Sequence, residues 1–272
     1  MARRLDPRVL LGVVVLLGAA ARCWNLDWDQ GAYSLHPDEW ALNQVVRRLG
    51  PDGNPHFFFY GSLPIYLDRG TAWLLGWLTG QDWLATERVA LIGRAYSAVA
   101  STLLLPLVFL VGRRLWGTTA GLRAAAFTAA AALLIQAAHF GTVDTAVTLA
   151  GVALCWTALR IAEGGGRKFY LLGGMILGLA IATKLTAASF VLFLVLAHFQ
   201  RPPAERTPGP LLWSGIVALG TTLLAAPYYV LAWPELWAAI REQSRELGGG
   251  YTLAYTWQFR QAVPYLFELQ NL

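Results

Sequence analysis

The sequence predicts an all-α integral membrane protein, a multi-span helical bundle with one large outer loop. Three observations predict it. Hydrophobic residues make up 56% of the chain and charged residues 14%, against about 25% charged in a soluble domain. The mean hydropathy is +0.47. Apolar runs of roughly 17–25 residues, long enough to cross a bilayer, recur along the chain. The net charge of +5 is not gathered into a basic stripe, so nucleic acid is set aside as a partner. Cys23 and Cys155 lie in apolar runs, which argues against a disulfide framework or a cysteine metal site.

Seven spans are expected. The first is Val9–Trp24; equally apolar runs follow it, so it reads as a retained helix and not as a signal peptide. Tyr96–Leu115, Thr118–His139 and Thr145–Ile161 come next. The run Phe169–Phe199 is too long for one crossing and splits into two helices turning around Thr183–Thr186; Leu211–Trp233 is the seventh. With the N-terminus in the cytoplasm, the inside receives Arg3, Arg4, Arg8, Arg113, Arg114, Arg123, Arg160, Arg167, Lys168, Arg201 and Arg206. Against them stand only Asp6, Glu163 and Glu205. The other ten of the 21 Lys/Arg and thirteen of the 16 Asp/Glu fall outside, as do nine of the twelve Trp. That is the pattern of the positive-inside rule and of an outer aromatic belt.

Two outer segments exceed mere connectors: Asn25–Gly93, and Pro234–Leu272, expected to be the start of an outer segment that is cut short. In the first, Pro37 suits the opening position of a helix, and Asp38 and Glu39 its first turn. Leu42, Val45, Val46 and Leu49 then form an apolar stripe opposite Asn43, Gln44, Arg47 and Arg48. Such a helix is expected in the plane of the interface, in contact with membrane lipids or protein. A second amphipathic helix begins near Pro64 and carries Trp73 and Trp77.

Four groups could carry chemistry. In His36-Pro37-Asp38-Glu39, the acids either only favour the helix start or supply a general base for a hydroxyl. Asp38 is the chosen base and Glu39 its support. In His139-Phe140-Gly141-Thr142-Val143-Asp144, Asp144 either caps the next helix or joins His139 in an acceptor or sugar pocket. Lys184 either snorkels to the headgroups or binds phosphate as a point charge. Arg94 either anchors the interface or completes a two-cation clamp with Lys184. Tyr60, in an aromatic run, reads as membrane contact or sugar stacking. A transporter or lipid-carrier flippase is the alternative from another class. It would need a polar track through the bilayer and repeated halves with broken helices, whereas the charges gather at one face and no repeat is seen. A purely structural subunit would leave the acidic helix start without a cavity beside it.

The same residues carry a resemblance. His36-Pro37-Asp38-Glu39 after a first span resembles the acidic motif of the first outer loop in GT-C glycosyltransferases. The likeness is to family 39, the protein O-mannosyltransferase-like enzymes and their bacterial relatives that use polyprenyl-phosphate sugars. It continues in order through Tyr60-Gly61-Ser62-Leu63-Pro64, Arg94-Ala95-Tyr96-Ser97-Ala98, Gly112-Arg113-Arg114-Leu115-Trp116-Gly117, His139–Asp144 and Ala180-Ile181-Ala182-Thr183-Lys184. It implies a GT-C module over residues 1–233, with the acidic motif in outer loop 25–93, and residues 234–272 beginning an outer segment. The implied reaction is an inverting transfer of a sugar from a polyprenyl-phosphate carrier to a hydroxyl of a protein, lipid or polysaccharide acceptor. Asp38 acts as base with Glu39 beside it, and Arg94 and Lys184 hold the donor phosphate. His36, Tyr60, His139 and Asp144 line the acceptor or sugar pocket. Relatives differ in metal use. With no third clustered carboxylate, no cofactor is called for and a divalent cation is not favoured. The implied location is a bacterial plasma membrane, with the site on the periplasmic or extracellular face.

Overall fold

A computed structural model describes residues 6–30 and 36–245. Every regular element among them is helical. In chain order they are α1 (Pro7–Cys23), α2 (Pro37–Arg48), α3 (Ser62–Thr79), α4 (Thr86–Trp116), α5 (Thr118–Ala130), α6 (Ala132–Ala138) and α7 (Asp144–Ala162). After these come α8 (Arg167–Thr183), a 3₁₀ segment Leu185–Phe190, α9 (Val191–Phe199), a 3₁₀ turn Pro203–Glu205, α10 (Pro208–Ala225), the short α11 (Tyr228–Leu231) and α12 (Trp233–Arg245). Helices α4, α7 and α10 are individually long and apolar enough to cross a bilayer, and α5 with α6, bent by 57°, passes as a pair. Helices α1 and α8 have 17 residues each, about 25 Å of rise. Helical segments thus cover all seven apolar runs marked in the sequence. The expected outer segment from residue 234 is described only as far as the end of α12, and the rest of it lies outside the described residues.

The two interruptions matter most for the site. At Ala131 the chain turns extended between α5 and α6, freeing carbonyls in the last turn of α5. Arg22, fully buried at the end of α1, supplies the missing donors: Nη2 bonds the Thr128 carbonyl at 2.9 Å and Nη1 the Ala129 carbonyl at 3.0 Å. A cation at a helix C-terminus also opposes the dipole. The second break falls at Lys184, whose extended backbone ends α8 within the turn that the sequence predicts. Helix α8 packs between α7 and α10 around Leu154, Tyr170, Leu177 and Leu194, so its end is fixed in space.

Helix α2 begins as predicted, with Pro37 at its first position, but its buried face differs from the apolar stripe. Glu39, Leu42, Asn43 and Val46 are the buried residues. Asn43, expected on the polar side, is therefore inside, because α2 packs against both α3 and α4. The buried stripe is rotated to include Glu39, for which an ion partner waits inside. Helix α3 matches its reading: Trp73 and Trp77 are exposed on one side, while Ser62, Ile65, Asp68 and Ala72 face in.

Candidate functional site

Residues 139–143 link α6 to α7 and, with Asp144 at the start of α7, form the hub of the site. Helix α4 crosses this link at Gly93. A Cβ on Gly93 would stand 3.2 Å from the Gly141 Cα, and one on Gly141 would stand 3.1 Å from Glu39 Oε1. With both side chains absent, the Gly141 amide reaches Glu39 Oε1 at 2.7 Å. The carboxylate of α2 is thereby clipped onto the turn that leads into α7.

Arg94 completes this knot. Its Nε donates to Glu39 Oε1 at 2.7 Å and Nη2 to Glu39 Oε2 at 2.8 Å. Asp29 takes a second fork, Nη1 to Oδ1 at 2.9 Å and Nη2 to Oδ2 at 2.6 Å, and Nη1 also bonds the Leu26 carbonyl at 2.8 Å. All five N–H groups of the guanidinium are therefore used. The side chains of Arg94, Asp29 and Glu39 are essentially sealed from solvent, at 0%, 0% and 1% exposure. The Arg94 hydrogen bonds, and secondarily its charge, hold the Asp29 carboxyl below the usual carboxylate range. Trp28 lies against the guanidinium at 5.4 Å and bonds the His139 carbonyl through Nε1 at 3.2 Å.

This placement departs from two expectations. Arg94, expected beside a donor phosphate, spends its guanidinium hydrogen bonds on Glu39, Asp29 and the Leu26 carbonyl, and its charge is matched by two carboxylates. Glu39 does not support Asp38, because it is turned to Arg94 and Gly141; on a helix, adjacent side chains diverge by about 100°. Asp29, which completes the knot, is invisible to local sequence reading: it stands alone in an irregular segment, and only the burial of Arg94 gives it a role.

The histidines are structural tethers in this geometry. His36 caps α2, its Nδ1 accepting from the Asp38 amide at 3.3 Å, and its ring rests on Phe140 at 4.6 Å. The ring nitrogens of His139 lie 2.8 Å from the Ile135 carbonyl and 2.9 Å from the Trp24 carbonyl. His139, expected in an acceptor or sugar pocket, thus ties the end of α1 to α6. Asp38 is half-buried, and its carboxylate takes no hydrogen bond or ion pair from the described residues. It is held in place through its backbone, with the side chain left available.

The second charged pair is open. Lys184 Nζ lies 3.0 Å from Asp144 Oδ1, with side-chain exposures of 31% and 54%. Nζ also sits 5.5 Å from the centre of the Tyr60 ring. Asp144 occupies the first helical position of α7 with Val143 before it, so it is not the N-cap that the simpler reading allowed. Gly61 explains how Tyr60 reaches Lys184. Its amide bonds the Thr183 carbonyl at 2.9 Å, and a Cβ there would stand 1.8 Å from the Ala182 carbonyl oxygen. Only glycine permits this approach.

The structure thus gathers Glu39, Arg94, His36 and His139 on one side of the 139–143 link, and Asp144, Lys184 and Tyr60 on the other. Among the described residues no group of three His, Cys, Asp or Glu side chains is arranged to hold a metal ion. No curated protein matches the chain. A family model described as dolichyl-phosphate-mannose-protein mannosyltransferase matches residues 83–230, more than half of the chain. The match takes in Arg94, the 139–143 link and Lys184, and it begins beyond Asp38 and Glu39.

Proposed function

The chain belongs to the dolichyl-phosphate-mannose-protein mannosyltransferase family, and from that premise we propose that Asp38 and the Asp144–Lys184 pair form the working part of its site. It is a membrane glycosyltransferase of the mannosyltransferase-like type. The finer reading is transfer of a sugar from a polyprenyl-phosphate carrier to a hydroxyl, on the outer face, with inversion. The Asp38 carboxylate takes the proton of the acceptor hydroxyl as that oxygen attacks the anomeric carbon. The bond from that carbon to the phosphate oxygen breaks, and the polyprenyl phosphate leaves with the electron pair. Lys184 stabilises the charge growing on the leaving phosphate, exchanging part of its pairing with Asp144 for the new anion. Tyr60, against Lys184, offers a ring for the sugar or the carrier to lie on. Arg94 is a positioning residue, fixing Glu39 and with it the start of α2 against the 139–143 link.

The observation that supports this reading best is the difference between the two cations. One is saturated and buried; the other is half-open and shares a single carboxylate. The transporter alternative finds no comparable support, because the open pair stands at the start of α7 and at the end of α8 and not along them. Seven spans in a GT-C module, with α2 and α3 at the outer interface, complete the proposed topology.

The test is Asp38→Asn in the full-length protein, assayed with a polyprenyl-phosphate sugar and mass-spectrometric detection of product. Turnover is expected to fall by about 10²–10⁴, the scale of general base catalysis, with donor binding and melting temperature retained. Wild-type turnover in that variant would remove Asp38 from the base role.

A further inference from the structure

An apolar cavity of about 230 Å³ adjoins the site, between α2, α3, α4 and α7. Its walls are sequence neighbours of the site residues. Leu42 is one turn beyond Asp38, Gly93 precedes Arg94, Thr145 follows Asp144 and Thr183 precedes Lys184. Two polar side chains open into it unpartnered. The Asp68 carboxyl, from the buried stripe of α3, is 7% exposed and takes no hydrogen bond or ion pair from the described residues. Thr145 Oγ1 is buried and likewise unpartnered.

Among the described residues no counter-charge faces Asp68 from a neighbouring element. Arg69, beside it on α3, is turned to the Val46 and Arg47 carbonyls at 3.2 and 3.4 Å. On α4, Arg94 is held by Glu39 and Asp29, and Tyr96, the other titratable group in the wall, shares its hydroxyl with Thr71 at 2.6 Å. On α2, Glu39 is turned to Arg94 and Arg47 bonds the Leu84 carbonyl. On α7, Asp144 is paired with Lys184. A lone carboxylate in such a wall carries a large desolvation cost unless it holds a proton. Burial accordingly pushes the Asp68 carboxyl up to about 8.

Resting on the transferase reading above, we propose that Asp68 is a specificity-determining residue for the apolar part of the lipid-linked substrate, admitting an uncharged chain segment to this cavity while neutral and refusing it once ionised. An incoming hydrocarbon chain displaces water, and that displacement opposes the ionised acid more than the neutral one. Chain occupancy and proton occupancy therefore favour each other. By linkage, chain affinity is full below the pKa of the empty cavity and declines above it. The neutral acid, as donor and acceptor, and the Thr145 hydroxyl would also orient a double bond or terminal hydroxyl of the chain.

The test measures binding of a polyprenol, which has no titrating group, to the purified full-length protein between pH 6 and 9.5. Wild-type affinity is expected to be level up to about pH 8 and then to fall by nearly tenfold per pH unit, as for release of one proton. Asp68→Asn should keep the low-pH affinity throughout, and Ala146→Phe, which fills the cavity, should weaken binding at every pH. A wild-type curve that is level to pH 9.5, or that rises with pH as for a cationic ligand, overturns the proposal without any variant. Parallel curves for wild type and Asp68→Asn overturn it as well. A polyprenol that binds with this pH profile while Asp38→Asn still transfers sugar at the wild-type rate would leave the Asp68 assignment standing and remove Asp38 from the base role. Absence of polyprenol binding at any pH sinks the Asp68 assignment alone.

Discussion

Arg94 and Lys184 look alike in the sequence: each is a cation beside an apolar helix, and together they suggest a phosphate clamp. The folded protein separates them. Arg94 is enclosed by two carboxylates, a backbone carbonyl and the face of Trp28. Lys184 has one carboxylate and one aromatic face, and its side chain is 31% exposed. A planar guanidinium with five fixed donors suits a closed knot, and a compact ammonium on a flexible stem suits exchange between anions. Which cation is free to meet a substrate is decided by how many acids share its enclosure.

The largest expected effect comes from breaking the closed knot. Arg94→Ala leaves Asp29 and Glu39 buried without a counter-charge, which costs on the order of 3–5 kcal/mol. The measurement is yield and melting temperature of the purified variant, and Arg94→Lys should rescue only part of the loss because it lacks the fork. A well-folded Arg94→Ala protein with a raised donor KM would return Arg94 to the phosphate. Next comes Gly61→Ala, which should separate the Tyr60 segment from the end of α8. The added Cβ would sit 1.8 Å from the Ala182 carbonyl oxygen, so one of the two segments has to move. Turnover should fall at least tenfold, because misplacing a positioning group by about 1 Å can cost 10² in rate. Full activity in Gly61→Ala would show that Tyr60 and Lys184 need not be neighbours.

How much of this the sequence shows depends on whether a feature is local. Apolar run lengths mark the helices, and Pro37 with its acids marks the start of α2, because these signals lie within a few residues. The break at Lys184 is legible for the same reason, since a run of that length cannot stay straight in a bilayer. The knot is not local: Asp29, Glu39 and Arg94 come from three segments, so neither the missing acid nor the rotated face of α2 could be read in advance. Asp68 did carry a signal. It sits at helical spacing between Ile65 and Ala72 on the stripe that faces in, and an acid on such a stripe marks either a buried pair or a cavity. The two glycines at the α4 crossing are ordinary in sequence and acquire meaning only when the backbones meet.

The smallest structural effect should accompany a large functional one at Lys184. The Asp144–Lys184 pair is partly exposed, and such pairs stabilise a fold by about 0–1 kcal/mol. Lys184→Gln, one bond shorter, keeps a hydrogen-bond donor and removes the charge, so its melting temperature should stay within a few degrees of wild type. Donor KM should rise about tenfold or more, since a charge-assisted contact to phosphate is worth about 1.5–3 kcal/mol. Added salt should weaken donor binding in wild type and much less in Lys184→Gln, because an accessible ammonium is screened while an amide has no charge to screen. Asp144→Asn should move the other way, freeing Lys184 and lowering donor KM, provided Asp144 competes with the phosphate and does not hold the lysine in place. If both variants weaken donor binding equally, the open pair works as a unit, and Lys184 is positioned by its acid much as Arg94 is by its two.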